Sequence, residues 1–287
     1  MGTSTAYGGP GGDTPLIPSW LGGDPGSEPD SGQGGIPPSN PDGPPVPPDK
    51  PSIPQAADSQ RFSGARNNFT RFAGSDGSDR ASLGRAVSGY VSTSSGGARQ
   101  AAQRMGASRG AGARLLGFLS DANARGMREA LREFNLDSMA GRPISEVFVA
   151  LADHICPGAG TVDEGIAREA YIETIIDLAD EGLASLDTFT PEQMDTVFEL
   201  YATHAIEARI CNDIGTKVVT MPSNAQVARQ VEKQLRDFIR GAVSDALTRT
   251  RESKPNITQD QVLAFVDSVY ESAFSILKSL GDAEADL

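Results

Sequence analysis

Two histidines, two cysteines, one tryptophan and five lysines are all that 287 residues supply of several side chains on which reactive sites are commonly built. Cys156 and Cys211 fall in different predicted elements, so neither a disulfide framework nor a zinc cluster is implied. None of the lysines (Lys50, Lys217, Lys233, Lys254, Lys278) sits in the GxxxxGK[ST] setting that cradles phosphates. Neither His154 nor His204 lies beside a GxSxG elbow, so serine-hydrolase chemistry has no base. No run approaches eighteen apolar residues, so no membrane-spanning helix is expected. The first residues lack a basic region followed by an apolar one, which argues against a signal peptide. Ala6 stands where myristoylation wants Ser or Thr. Asn68 and Asn256 fit the glycosylation pattern, but nothing indicates secretion, and the chain reads as cytosolic.

What is present is unevenly spread. Fourteen of nineteen prolines and twelve of thirty-two glycines precede residue 55. That stretch cannot bury enough apolar surface to offset its ordering entropy, so a disordered arm is expected there. The net charge of −13 divides into −6 over residues 1–60, +8 over 61–132 and −15 over 133–287. A basic middle beside an acidic half calls for a partner: nucleic acid, an acidic protein surface, or its own acidic half.

The arm ends in an apolar motif, Pro15-Leu16-Ile17-Pro18-Ser19-Trp20-Leu21, that holds the one tryptophan. Either it folds back on its own domain or it docks on a partner. Removal of the initiator Met would leave Gly2 with a free amine. Residues 22–60, dense in Pro, Gly, Ser and Asp, read as a semi-rigid spacer.

Residues 61–132 read as an Arg/Gly-rich helical region. Arginines recur at five-residue steps, as in Arg99, Arg104, Arg109 and Arg114. A five-residue step turns about 500° on a helix, so these side chains spiral round the axis instead of forming a stripe. They are candidates for phosphate or acidic-partner contacts, with an acidic protein surface, in cis or in trans, favoured over nucleic acid.

Residues 133–287 read as an acidic α-helical bundle of five or more helices. Capping-box spacing marks starts at Thr161/Glu164, Thr190/Gln193, Ser223/Gln226 and Thr258/Gln261. A further helix is predicted from near Pro143 through Ile155. Apolar periodicity follows each start, with Ile172, Ile175, Ile176, Ala179, Leu183 and Leu186 expected inside for the first and Leu280 for the last. No alternating strand pattern or Asn-Gly hairpin is seen, so the chain is mainly α. His154 with Cys156 could ligate zinc, but His204 and Cys211, seven apart, make a poor second pair. Glu169, Glu173 and Asp177 share a helix face, but without the Glu-x-x-His pairs of di-iron bundles they read as a solvated acidic face that could receive the arginines. No metal, cofactor or catalytic set is expected.

The opening MGTSTAYGGPGG…PLIPSWL, the Arg/Gly block through ARLLGFL and the stretch ICPGAGTVDEGIAREAYIETI together resemble the B component of the Qat anti-phage defence system. The resemblance implies a non-catalytic defence subunit, an adaptor for an ATPase partner, with a QueC-like enzyme and a TatD-like nuclease as further partners. It also implies that a deazaguanine-type nucleobase is joined to Gly2, with Pro15, Leu16, Ile17, Pro18, Trp20 and Leu21 as the anchor. The alternative is a nucleic-acid sensor working through residues 61–114.

Overall fold

The computed structural model describes residues 60–158, 160–180, 189–215, 222–254 and 257–286. Gly2, the Pro15–Leu21 motif, nearly all of the spacer and the predicted inward positions Leu183 and Leu186 lie outside them. Among the described residues there are ten α-helices and no strand. They are α1 (Ser63–Gly74), α2 (Arg80–Gly89), α3 (Ala98–Gln103), α4 (Gly106–Arg125), α5 (Met127–Arg132), α6 (Ile144–Ile155), α7 (Val162–Asp180), α8 (Pro191–Ile214), α9 (Ala225–Ser253) and α10 (Val262–Ala285).

Local signals explain where the later helices begin. Thr190 accepts from the Gln193 amide while the Gln193 side chain takes the Thr190 amide, and Thr258 pairs with Gln261 in the same way. At α7, Glu164 accepts from the Thr161 and Gly160 amides and its own amide bonds the Thr161 hydroxyl. α9 departs from the spacing: Asn224, not Ser223, caps it, accepting from the Gln226 amide at 2.9 Å. Both residue types cap well, and spacing alone does not choose between neighbours.

The hydrogen bonds from Thr161 and Gly160 hold the Glu164 carboxyl below its usual range. A depressed acid stabilises the fold above its unfolded pKa and loses that contribution as pH falls through the folded value. The protection factors of amides in the first turn of α7 should therefore fall as pH drops below about 4, the range in which an unfolded Glu takes up its proton. A Glu164→Gln chain should show a weaker pH dependence there.

Packing joins the basic block to the acidic helices. One hydrophobic cluster runs from Ala65 in α1 to Leu277 in α10. α10 lies along α2 and α9, α7 along α8, and α8 along α9. α8 occupies the centre: residues 200 to 207 are buried without a break, so every side of the helix is covered there.

The arginines of the block go to several different elements. Arg66 donates to the carbonyl of Ile214 at 2.6 Å, Arg114 to that of Ile155 at 2.7 Å and Arg85 to that of Ala285 at 3.2 Å. Those are the last residues of α8, α6 and α10. Helix C-termini carry unsatisfied carbonyls and partial negative charge, so a guanidinium from another element meets both needs. Arg80 reaches Glu284, Arg104 reaches Asp213 at 3.2 Å and Arg109 reaches Asp267 at 2.5 Å. The block is not one helix: these arginines lie on α1, on α2, just past α3 and on α4, and the breaks between those helices, not a spiral round one axis, let a short segment address several helices at once.

Candidate functional site

A recess of about 310 Å³ opens between α1, α7, α8 and α9. Phe69, Ala170, Ala208 and Leu235 supply its apolar lining, and Glu169, Glu173, Glu207 and Glu232 supply carboxylates. Helical spacing puts them there: 169 and 173 are one turn apart on α7, and 204, 207, 208 and 211 share one face of α8.

His204, almost fully buried, has Nε2 2.8 Å from Asp177 Oδ2 and Nδ1 3.9 Å from Glu207 Oε2. Arg236 donates through Nε to Glu207 at 2.7 Å. Burial pushes the Glu207 carboxyl above its usual range, against the pull of Arg236. The guanidinium that lines the recess is thus already held, while Glu169, Glu173 and Glu232 face the opening in excess. A site of this character attracts a cationic group with an apolar stem, such as a lysine or arginine side chain.

It is poorly suited to nucleophilic chemistry. Burial raises the Cys211 thiol to about 12 and the Cys156 thiol to about 11, and the thiolate is the reactive form. Cys156 also donates to the carbonyl of Ala167 at 3.6 Å. Alkylation by iodoacetamide at pH 8 should be slow for both in the folded chain and faster by about two orders of magnitude in urea, where ordinary thiol acidity returns. Peptide mass mapping over time would show it. Rapid native labelling of Cys211 would contradict this picture.

The residues singled out from sequence fare differently. Arg99 is exposed on α3. Arg104, Arg109 and Arg114 do not converge: they address α8, α10 and α6 respectively. Arg104 also lies over the Phe62 ring at 5.1 Å. The arginines of the block pair with Asp213, Asp267 and Glu284, whereas on α7 Asp177 takes His204 and Glu169 and Glu173 line the recess. His154 packs against the Phe134 ring, tilted by 53° with centroids 4.9 Å apart. Among the described residues no group of three or more His, Cys, Asp or Glu side chains is placed to hold a metal ion. Gly2, Pro15, Leu16, Ile17, Pro18, Trp20 and Leu21 lie outside the described residues. Sequence reading missed the recess, although the spacing of His204, Glu207 and Cys211 was there to be seen.

Fold and recess define a mainly α protein whose described residues are built round one buried helix, with a basic block folded onto acidic helices and an acidic hollow on the flank. Within that class the chain is assigned by comparison. A family model described as "Qat anti-phage system associated protein QatB" matches residues 96–277, and the chain belongs to that family. It is therefore a component of the Qat anti-phage system. No curated protein and no solved structure matches it.

Proposed function

We propose that the chain is an adaptor of the Qat system whose helical body binds a protein partner and whose N-terminal glycine is a modification substrate. The observation that carries the adaptor reading is the engagement of the basic block within the fold. Arg66, Arg85 and Arg114 serve helix ends, and Arg80, Arg104 and Arg109 serve carboxylates. The recess turns carboxylates to the solvent, which suits a protein partner better than phosphate. By its family resemblance the partner is the system's ATPase. A QueC-like enzyme, the source of a deazaguanine-type group, then acts on Gly2, with the Pro15–Leu21 motif as the anchor and a TatD-like nuclease in the same assembly.

Intact-mass analysis of the N-terminal peptide, from chain produced with and without the QueC-like protein, tests the modification. A mass increment at Gly2 in the first sample alone supports it, and an unmodified Gly2 in both sinks it. The competing nucleic-acid reading predicts a gel shift at low salt that fades steeply as salt rises. Such a shift, abolished by Arg99→Ala, would overturn the adaptor reading.

A further inference from the structure

Helix α7 carries two apolar stripes, and the bundle uses one. Ala167, Ala170, Tyr171, Thr174 and Leu178 face inward and are buried. Opposite them, Val162, Ile172, Ile176 and Ala179 face outward together with Gly165 and the carboxylate of Glu169, all exposed. Their spacing is three, four, three, four, three, the repeat of a coiled-coil seam. Val162 is 65% exposed, Ile172 47% and Ile176 48%. Isoleucines one turn apart and half open to water leave a large apolar area uncovered.

The neighbouring helix extends the strip. α6 and α7 run antiparallel, with the Phe148 and Tyr171 rings stacked at 6.1 Å and Arg168 bridging to Asp153 at 2.8 Å. One turn along from that bridge on both helices stand Val149 and Ile172. Val149 is 62% exposed, so two helices contribute to one apolar strip.

Charge decides what fits on it. Residues 144–180 hold eight acids and one arginine, Arg168, which is already paired with Asp153. On the α8 side the strip borders the acidic recess through Glu169 and Glu173. A second copy of the chain would set acid against acid. The N-terminal arm is a poor occupant too, because residues 1–60 hold seven acids and one base. Like charges brought together across an interface oppose association.

We infer that the exposed face of α7 is a docking surface for an amphipathic helix of a partner protein, with apolar residues at three-four spacing flanked by Lys or Arg. The apolar side packs on Ile172, Ile176 and Val149, and a basic side chain enters the recess beside Glu169 and Glu173. This rests on the adaptor reading above and is independent of any event at Gly2.

The test places a photo-crosslinking residue at position 172 or 176 in the full chain, co-expressed with the other proteins of its defence system. Crosslinks to one helical segment of another protein, net positive and with the three-four pattern, are expected. A synthetic peptide of that segment should then bind the wild-type chain and bind an Ile172→Asp/Ile176→Asp variant about thirtyfold more weakly. Glu169→Lys/Glu173→Lys should weaken it about tenfold at low salt and flatten its salt dependence. Both pairs are solvent-exposed or at a rim, and an unchanged Tm verifies the fold. Crosslinks confined to a second copy or to this chain, or to an acidic segment of another protein, overturn the proposal. If a complex assembles but position 172 or 176 does not crosslink, the α7 surface is wrong and the adaptor reading survives. If no complex assembles, both fall.

Discussion

Replacing Asp213 with alanine is expected to destabilise the fold by about 3–5 kcal/mol, the range seen when one member of a buried ionic cluster is removed. Asp213 sits near the end of α8 with a side chain only 6% exposed. Its Oδ2 accepts from the Tyr90 hydroxyl at 2.9 Å, from Arg104 at 3.2 Å and from Arg209 at 3.1 Å. Burial first, and then the Asp213 charge, drives the Tyr90 phenol well above its ordinary pKa, so it stays a donor throughout the accessible pH range. Without the carboxylate, two guanidiniums and a buried hydroxyl lose their common acceptor. Arg209 retains Asp163, whereas Arg104 already has one buried nitrogen with no partner.

The loss should appear as a lower urea midpoint with an unchanged slope, and as a fall in Tm of about 10 °C for a chain of this size. Asp213→Asn keeps an acceptor and should lose less. Tyr90→Phe combined with Asp213→Ala should cost less than the two single losses added together, because they share one interaction. Full additivity would mean that the hydroxyl and the carboxylate act independently.

The second large effect concerns the crossing of α2 and α10. A Cβ built on Gly84 would lie 2.5 Å from the Gly281 carbonyl oxygen and 2.8 Å from the Ala285 amide nitrogen. One on Gly281 would lie 2.7 Å from the Gly84 carbonyl oxygen and 2.9 Å from the Ser88 amide nitrogen. The obstacles are backbone atoms of the facing helix, which cannot swing aside as a side chain can. Gly84→Val or Gly281→Val should therefore cost about 3 kcal/mol through forced separation of the helices. Gly241→Ala in α9 is the control: nothing lies within 4 Å of its added Cβ. There, helix propensity alone should stabilise by up to about 1 kcal/mol. Thermal unfolding of the variants side by side would separate close approach from propensity, and a tolerated Gly281→Val would show that the helices can part cheaply.

The helix starts were legible because their cause is local. Thr161, Thr190 and Thr258 each meet a Glu or Gln three residues on, and that hydrogen bonding needs nothing from elsewhere in the chain. α9 shows the margin of such reading, a single residue between Ser223 and Asn224. The motifs that carry the family resemblance were legible for the same reason, being continuous in sequence.

The inward face of α7 was not. Ile172 and Ile176 satisfied the periodicity for burial, as Leu280 did on α10, yet all three are exposed. Where apolar residues surround a helix, periodicity offers more than one face, and only the neighbours choose. On α7 the choice fell to Phe148, which stacks on Tyr171. The arginines follow the same rule. Sequence alone determined their five-residue spacing and that the acids lie downstream. Tertiary structure decided which helix end or carboxylate each one meets, because a guanidinium's partner lies from 41 to 204 residues away along the chain. The acidic recess has the same origin: its walls come from four helices, and its existence depends on how they pack.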